Sequence, residues 1–290
     1  MIFMKATAIS PLLQDLLKNG GELCGVFSDS LGISCGDIAV TVQKENIATP
    51  YGMAVAELYT KSVEWPIGEA VFMRDGVLSI GDFAQIDFTQ AKLWNDMTIE
   101  KLPPLTDAQQ KSALEAVKNR LSSSQRESGF SLLLGELGLE AGSNAVCPEF
   151  YHRALQAILL LRRSVSTGDL LSIVEAQTNL VGFGPGLTPS GDDFLVGFWT
   201  TMQMLADEKF EDTIKHSIEA LSALSKRTTL YGWSQLHAMQ KGFCNEPLRT
   251  AIKSLGNTDH QDKTLTRLTS LGGSTGLDIT LGITESLQSL

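Results

Sequence analysis

Most of the chemistry this sequence can offer lies in one stretch, Gly182-Phe183-Gly184-Pro185-Gly186-Leu187-Thr188-Pro189-Ser190-Gly191-Asp192-Asp193. Glycines alternating with other residues make a loop able to aim several main-chain N–H groups at one point, the geometry that cradles an anion. Thr188 followed by Pro189 reads as the N-cap and first position of a helix. That leaves the amides of Ser190, Gly191 and Asp192 free at the positive end of its dipole. Such an end takes phosphate or carboxylate. The same residues also read as a glycine turn before a well-capped helix whose aspartates complement the dipole. The stretch is not a Walker A loop, because no Gly-Lys-Ser/Thr follows, and no run of parallel-sheet units surrounds it as a dinucleotide loop requires.

A second segment repeats the core of the first. Ser190-Gly191-Asp192-Asp193 with Gly197 aligns on Thr275-Gly276-Leu277-Asp278 with Gly282: a hydroxyl, Gly, any residue, Asp, three residues, Gly. Asp and Gly four apart share one helix face, and Gly permits a close helix–helix approach. The expectation is two helices packed face to face with converging N-termini, so that Asp193 and Asp278 border one site. There they would hold Mg²⁺ or orient a substrate amide. Coincidence in a chain with 26 glycines is the alternative.

A third segment, Arg227-Thr228-Thr229-Leu230-Tyr231-Gly232, opens another helix. Its threonines either cap that helix or, with Arg227, bring Thr228 to the same anion pocket. The candidate site is therefore Gly184, Gly186, Thr188, Ser190, Gly191, Thr228, Thr275 and Gly276 for the anion, with Asp192, Asp193 and Asp278 as catalytic, orienting or metal-binding carboxylates. No cofactor is assigned, Mg²⁺ being the one considered. His152, His216, His237 and His260 show no paired spacing for zinc. A G-x-S-x-G elbow and a Cys–His nucleophile arrangement are both missing.

These residues need elements to position them. The texture changes at Leu102-Pro103-Pro104-Leu105. Before it, short β-favouring runs alternate with turn residues: Ile38 to Val42, Met53 to Tyr59, Glu69 to Met73, Val77 to Ile80 and Phe83 to Phe88. Asp75-Gly76 between two of them is a hairpin signal, since both turn positions want positive φ. Residues 20 to 100 read as an antiparallel sheet curled into a barrel or sandwich, preceded by a short helix around Pro11 to Lys18.

After Pro104 the period is helical. Thr106 and Gln109 form a capping box, and Leu114, Val117 and Leu121 share a face. Further helices are expected at Pro148 to Arg163, Leu170 to Thr178, Pro189 to Leu205, Glu211 to Lys226, Thr228 to Lys241, Glu246 to Leu255 and Thr275 to Leu287. Ser122 to Ser128 reads as a loop. The fold class is α+β, with a β-rich domain at 1–104 and an all-α domain at 105–290.

Composition sets limits on partners. In 290 residues, 43% are hydrophobic and 19% charged, ordinary for a globular chain. The formal charge of −10 argues against a broad grip on nucleic acid or on an anionic membrane surface, yet leaves room for one small anion held by amides. The apolar run Ala154 to Leu161 stops at Arg162-Arg163, too short to cross a bilayer. Ser10-Pro11 interrupts any signal-peptide core, so the expected location is cytoplasmic. Cys24, Cys35, Cys147 and Cys244 lack C-x-x-C spacing and read as reduced structural thiols.

Taken together and in order, Gly184 to Asp193, Thr228-Thr229 and Leu271-Gly272 through Asp278 resemble the oxamate carbamoyltransferase subunit AllH-like family. The resemblance is strong over residues 180–290 and holds only in general texture over 20–100. It implies a bacterial cytoplasmic subunit of a multi-protein carbamoyltransferase in allantoin and purine-nitrogen breakdown, with other subunits as partners. That reaction phosphorolyses oxalurate to oxamate and carbamoyl phosphate, both small anions. The resemblance does not itself assign catalysis to this subunit. The other readings are a stand-alone Mg²⁺-dependent phosphotransferase or hydrolase, and a non-catalytic scaffold.

Overall fold

The computed structural model describes residues 1–61, 63–124, 128–139 and 149–290. It divides into two compact units, Met1–Thr98 and Ile99–Leu290.

In the first unit ten strands among the described residues form a single sheet: β1 (Ile2–Lys5), β2 (Ala8–Ile9), β3 (Gly21–Val26), β4 (Ser30–Cys35), β5 (Ile38–Gln43), β6 (Gly52–Ala54), β7 (Ala70–Arg74), β8 (Val77–Ile80), β9 (Ala84–Asp87) and β10 (Lys92–Leu93). The order is β1-β9-β8-β7-β3-β4-β5-β6-β2-β10. β1 and β2 are separated by only two residues yet sit near opposite ends of that order. The segment 2–9 therefore ties both ends together and the sheet curls. Ala6 donates to Asp87 on one side and Thr7 to Ala54 on the other, both at 2.8 Å.

The antiparallel pairing read from the sequence holds for the central ladder, whereas β1–β9, β2–β10 and β5–β6 run parallel, making the sheet mixed. Side-chain alternation has period two whichever way the neighbour runs, so it reports the buried face and not strand direction. That face gathers Leu23, Leu31, Ile33, Val40, Val42, Met53, Val71, Leu78 and Ile80. Asp75 and Gly76 join β7 to β8 with φ of 50° and 80°, as the type I′ hairpin demands. The short N-terminal helix is α1 (Leu13–Leu16), which runs into a 3₁₀ turn at Leu17–Asn19.

The described part of the second unit is helical: α2 (Asp107–Ser122), α3 (His152–Thr167), α4 (Leu170–Leu180), α5 (Ser190–Leu205), α6 (Glu211–Ala220), α7 (Leu230–Gln240), α8 (Glu246–Ser254), α9 (Gln261–Thr269) and α10 (Thr275–Leu287). The Thr106–Gln109 capping box forms as expected at the head of α2. The long helix expected over 211–226 ends at Ala220 and continues as a 3₁₀ turn to Arg227. α9 was not expected, because only Leu265 and Leu268 mark its apolar face. Pro148, the first residue of one expected helix, and residues 125–127 of the expected loop lie outside the described residues, as does Cys147. No disulfide joins the three described cysteines, Cys24, Cys35 and Cys244.

α5 and α10 form the centre of this unit. Every residue of α5 except Gln203 is buried, and every residue of α10 except Thr275. A helix buried all round must have neighbours on every side, and these two pack chiefly on each other. Among the described residues, no helix is long and apolar enough to cross a membrane.

Candidate functional site

Two glycines let the central helices touch. A Cβ added to Gly197 would run into the Ile279 carbonyl, and one added to Gly282 into the Phe194 carbonyl. Main chain therefore rests on main chain at the crossing. The N-terminal ends converge there too, since the Thr188 and Thr275 hydroxyls are 3.0 Å apart. Asp193 and Asp278, each four residues before its glycine, are thereby brought near enough for their charges to interact.

Asp192, Asp193 and Asp278 are all 0% exposed. Asp192 is tied into the fold by both oxygens: Oδ1 accepts the Gly182 amide at 2.9 Å, and Oδ2 accepts the Thr228 hydroxyl. Burial nevertheless raises its pKa to about 6 against those two donors. Gly232 leaves the room this requires, because a Cβ there would press on Asp192 Oδ2 and on the Thr228 hydroxyl.

The other two aspartates are only half satisfied. Asp193 Oδ1 accepts the Gln235 amide nitrogen at 3.2 Å, and Asp278 Oδ1 accepts the Phe130 main-chain amide at 2.7 Å. Among the described residues the Oδ2 atom of each is buried with no hydrogen bond of good geometry, although hydroxyls lie beside both carboxylates. Burial pushes Asp278 up to about 7, with the Phe130 amide and the Ser190 and Ser274 hydroxyls pulling the other way. Asp193 is pushed well above the carboxylate range, first by burial and next by the Asp278 charge, while the Thr275 and Thr188 hydroxyls beside it lower it. The Phe130 ring packs with those of Phe183 and Phe194, at 5.8 and 6.0 Å.

The loop before α5 differs in part from the sequence reading. Pro189, not Thr188, is the N-cap, and Thr188 turns its hydroxyl to Thr275 instead of capping. Two of the amides expected to be free are taken: Gly191 donates to the Phe183 carbonyl at 2.9 Å and Asp192 to the Pro189 carbonyl at 2.9 Å. With proline at N-cap the helix starts one residue later, so its first turn takes the Asp192 amide, while the loop folds back to take that of Gly191. The amides of Gly184, Gly186, Leu187, Thr188 and Ser190 carry no hydrogen bond among the described residues. Gly184 and Gly186 hold φ of 110° and 100°, which only glycine adopts at low cost.

Gly191 and Gly276 are packing residues in this geometry. Their missing Cβ atoms make space for the Leu180 and Leu268 carbonyls, and the Gly276 amide donates to Leu271 at 3.1 Å. The threonine pair divides its work: Thr229 caps α7 by accepting the Gly232 amide at 2.9 Å, and Thr228 reaches Asp192. Gln235 and the Phe130 amide were missed by sequence reasoning. Thr228, Gly232 and Gln235 fall at helical spacing, a signal that could have found Gln235. Nothing in the sequence marks Phe130, which sits in a 3₁₀ turn distant along the chain. Among the described residues no group of three or more His, Cys, Asp or Glu is arranged to hold a metal ion.

Residues 180–287 match the family model described as oxamate carbamoyltransferase subunit AllH. The AllH match takes in the glycine loop and α5 through α10, so it contains all three aspartates and every candidate anion residue. No curated protein and no solved structure matches the chain.

Proposed function

We propose that this chain is a subunit of a carbamoyltransferase and that its helical unit binds a small anionic metabolite such as carbamoyl phosphate or oxalurate. The observation that carries the reading is the loop before α5, with five amides lacking partners among the described residues, at the head of a buried helix inside the AllH-matching segment. The loop amides and the positive end of the α5 dipole hold the anionic end of the ligand, and the Thr188 and Ser190 hydroxyls supplement them. Asp193 and Asp278 orient the remainder. Asp192, with both oxygens engaged by the chain, fixes the loop and the start of α7 to α5 and acts by positioning.

A subunit of this kind operates with partner chains in a bacterial cytoplasm, in allantoin and purine-nitrogen breakdown. Calorimetric titration of the full chain with phosphate, carbamoyl phosphate and oxamate tests the anion reading. Saturable binding that weakens about tenfold or more in Gly186→Ala is the expected result. Binding unchanged in that variant, or none by the chain alone and with its co-purifying partners, refutes it. A purely structural role is the second reading. It is favoured by Gly191, Gly197, Gly276 and Gly282 all being seated against neighbouring carbonyls.

A further inference from the structure

Strand pairing stops early at the seam of the curled sheet. β2 runs antiparallel to β6, with Ala8 opposite Ala54 and Ile9 opposite Met53, and the Thr7 amide adds one bond to the Ala54 carbonyl. Continuing that register would set Lys5 opposite Glu57, yet no main-chain bond joins the two segments, and the chain parts into a fork. One arm is β1, which ends the strand order and pairs with β9 alone among the described residues. Ile2 and Ala6 donate to the Phe83 and Asp87 carbonyls on that side at 2.8 Å. Alternate residues of a parallel ladder bond to the same neighbour, so Phe3 and Lys5 turn their N–H and C=O groups to the open side. The other arm is Ala56–Glu57, which makes no main-chain hydrogen bond among the described residues. A trough of about 630 Å³ opens there, lined among others by Phe3, Lys5, Thr7, Ala56, Glu57 and Asp87. Phe3 is 70% exposed.

We propose that this fork is a β-augmentation site, at which an extended segment of a partner protein, carrying an apolar and a basic residue two positions apart, adds to the free edge of β1. The inference concerns the first unit and is independent of the anion reading. Main-chain bonds to Phe3 and Lys5 hold the added strand, and its alternate side chains lie beside those of Phe3 and Lys5 on the outer face. The fork sets one cation against two carboxylates. Asp87 is the register partner of Lys5 on β9, and Glu57 makes no ion pair among the described residues. The surplus is negative, so a Lys or Arg next to the residue that covers Phe3 matches it in charge and spacing. A second copy of this chain would bring its own β9 alongside its β1, and the Ala56–Glu57 arm bounds the space that next strand would need. A trough walled on both sides suits a lone strand. The shortness of β1 and the edge position of Lys5 guard against indiscriminate pairing and restrict the site to a segment of matching charge.

The probes are two labelled peptides, acetyl-Thr-Thr-Leu-Val-Lys-Thr-Thr-amide and the same peptide with Glu in place of Lys, titrated with the full chain by fluorescence anisotropy. The lysine peptide is expected to bind at least about fivefold more tightly. N-methylation at every second residue should abolish binding in one alternation and spare it in the other, because one set of N–H groups faces β1. Lys5→Pro removes an edge N–H that the β1–β9 ladder does not use and should weaken binding about tenfold or more, whereas Lys5→Thr, which keeps that N–H, should retain it. Glu57→Lys should reverse the preference between the peptides, which covers the case in which the proline variant fails to fold. No binding of either peptide, equal loss in both methylated forms, or an unchanged preference in Glu57→Lys would overturn the site. A wild-type dimer in sedimentation that Lys5→Pro breaks would overturn the choice of occupant.

Discussion

The helices α5 and α10 begin with nearly the same residues and end up with different tasks. In both, a hydroxyl residue and glycine precede an aspartate that lies four positions before a second glycine, and in both that second glycine admits the neighbour's main chain. The first-turn amides are used alike: Asp192 and Asp193 donate to Pro189, and Leu277 and Asp278 to Ser274. The difference lies one step earlier. Among the described residues the loop before α5 leaves Gly184, Gly186, Leu187 and Thr188 with unbound amides, whereas the stretch before α10 folds back, with Gly276 donating to Leu271 and Gly272 and Gly273 both engaged. A shared motif can therefore specify a packing contact on both sides and a loop with open amides on one. Residues outside the motif decide which.

The largest effect is expected where the two helices are equivalent. Gly197→Leu and Gly282→Leu should each cost about 3 kcal/mol or more, enough to abolish cooperative unfolding by urea, because main chain on both sides has no room to give. If one were tolerated, the crossing would be looser than the other glycine requires.

Next comes the acid pair. Asp278 is held near 7 in the fold and near 3.9 when unfolded, so the folded state binds the extra proton between these values. Stability is therefore fully present below about pH 4 and lost as pH rises to about 7. Asp192 and Asp193 act in the same direction. Urea midpoints measured from pH 4 to 8 should fall by the equivalent of a few kcal/mol, and Asp278→Asn should flatten that decline. A midpoint that rose over this range would contradict the buried, partly unpaired carboxylates described above.

A smaller effect separates the α5 side from the α10 side. Thr228→Val removes the hydroxyl donor that α7's leading segment gives to Asp192. A loss of about 1–3 kcal/mol in urea unfolding is expected, with Asp192 driven further above 6. The smallest effect sharpens the loop difference. Gly186→Ala should lose about 1 kcal/mol by thermal melting, since its φ of 100° is strained for alanine although its surroundings are open. Gly273→Ala, open and at ordinary φ, should change stability by no more than about 0.5 kcal/mol.

Local rules carried a good deal of this molecule. The limits of α10, the Thr106–Gln109 capping box and the Asp75–Gly76 hairpin follow from side-chain period, cap chemistry and positive φ, each a matter of a few adjacent residues. The Asp–Gly spacing also pointed correctly to two helices meeting at their glycines. The N-cap was misplaced by one residue because Thr188 is a good cap in isolation, and only the neighbouring Thr275 draws its hydroxyl away. Parallel pairing at both ends of the sheet was not legible, since it depends on segment 2–9 bridging strands far apart along the chain.

By itself the sequence determined most of the helical segments, the acid groups at the heads of α5 and α10 and the two glycines at which those helices meet, because these depend on side-chain period and nearest neighbours. Tertiary structure alone decided that Gln235 and the Phe130 amide each pin one aspartate oxygen, and that two other buried oxygens find no hydrogen bond among the described residues. Hydrogen-bond satisfaction and desolvation are properties of the whole surrounding volume, and no run of adjacent residues encodes them.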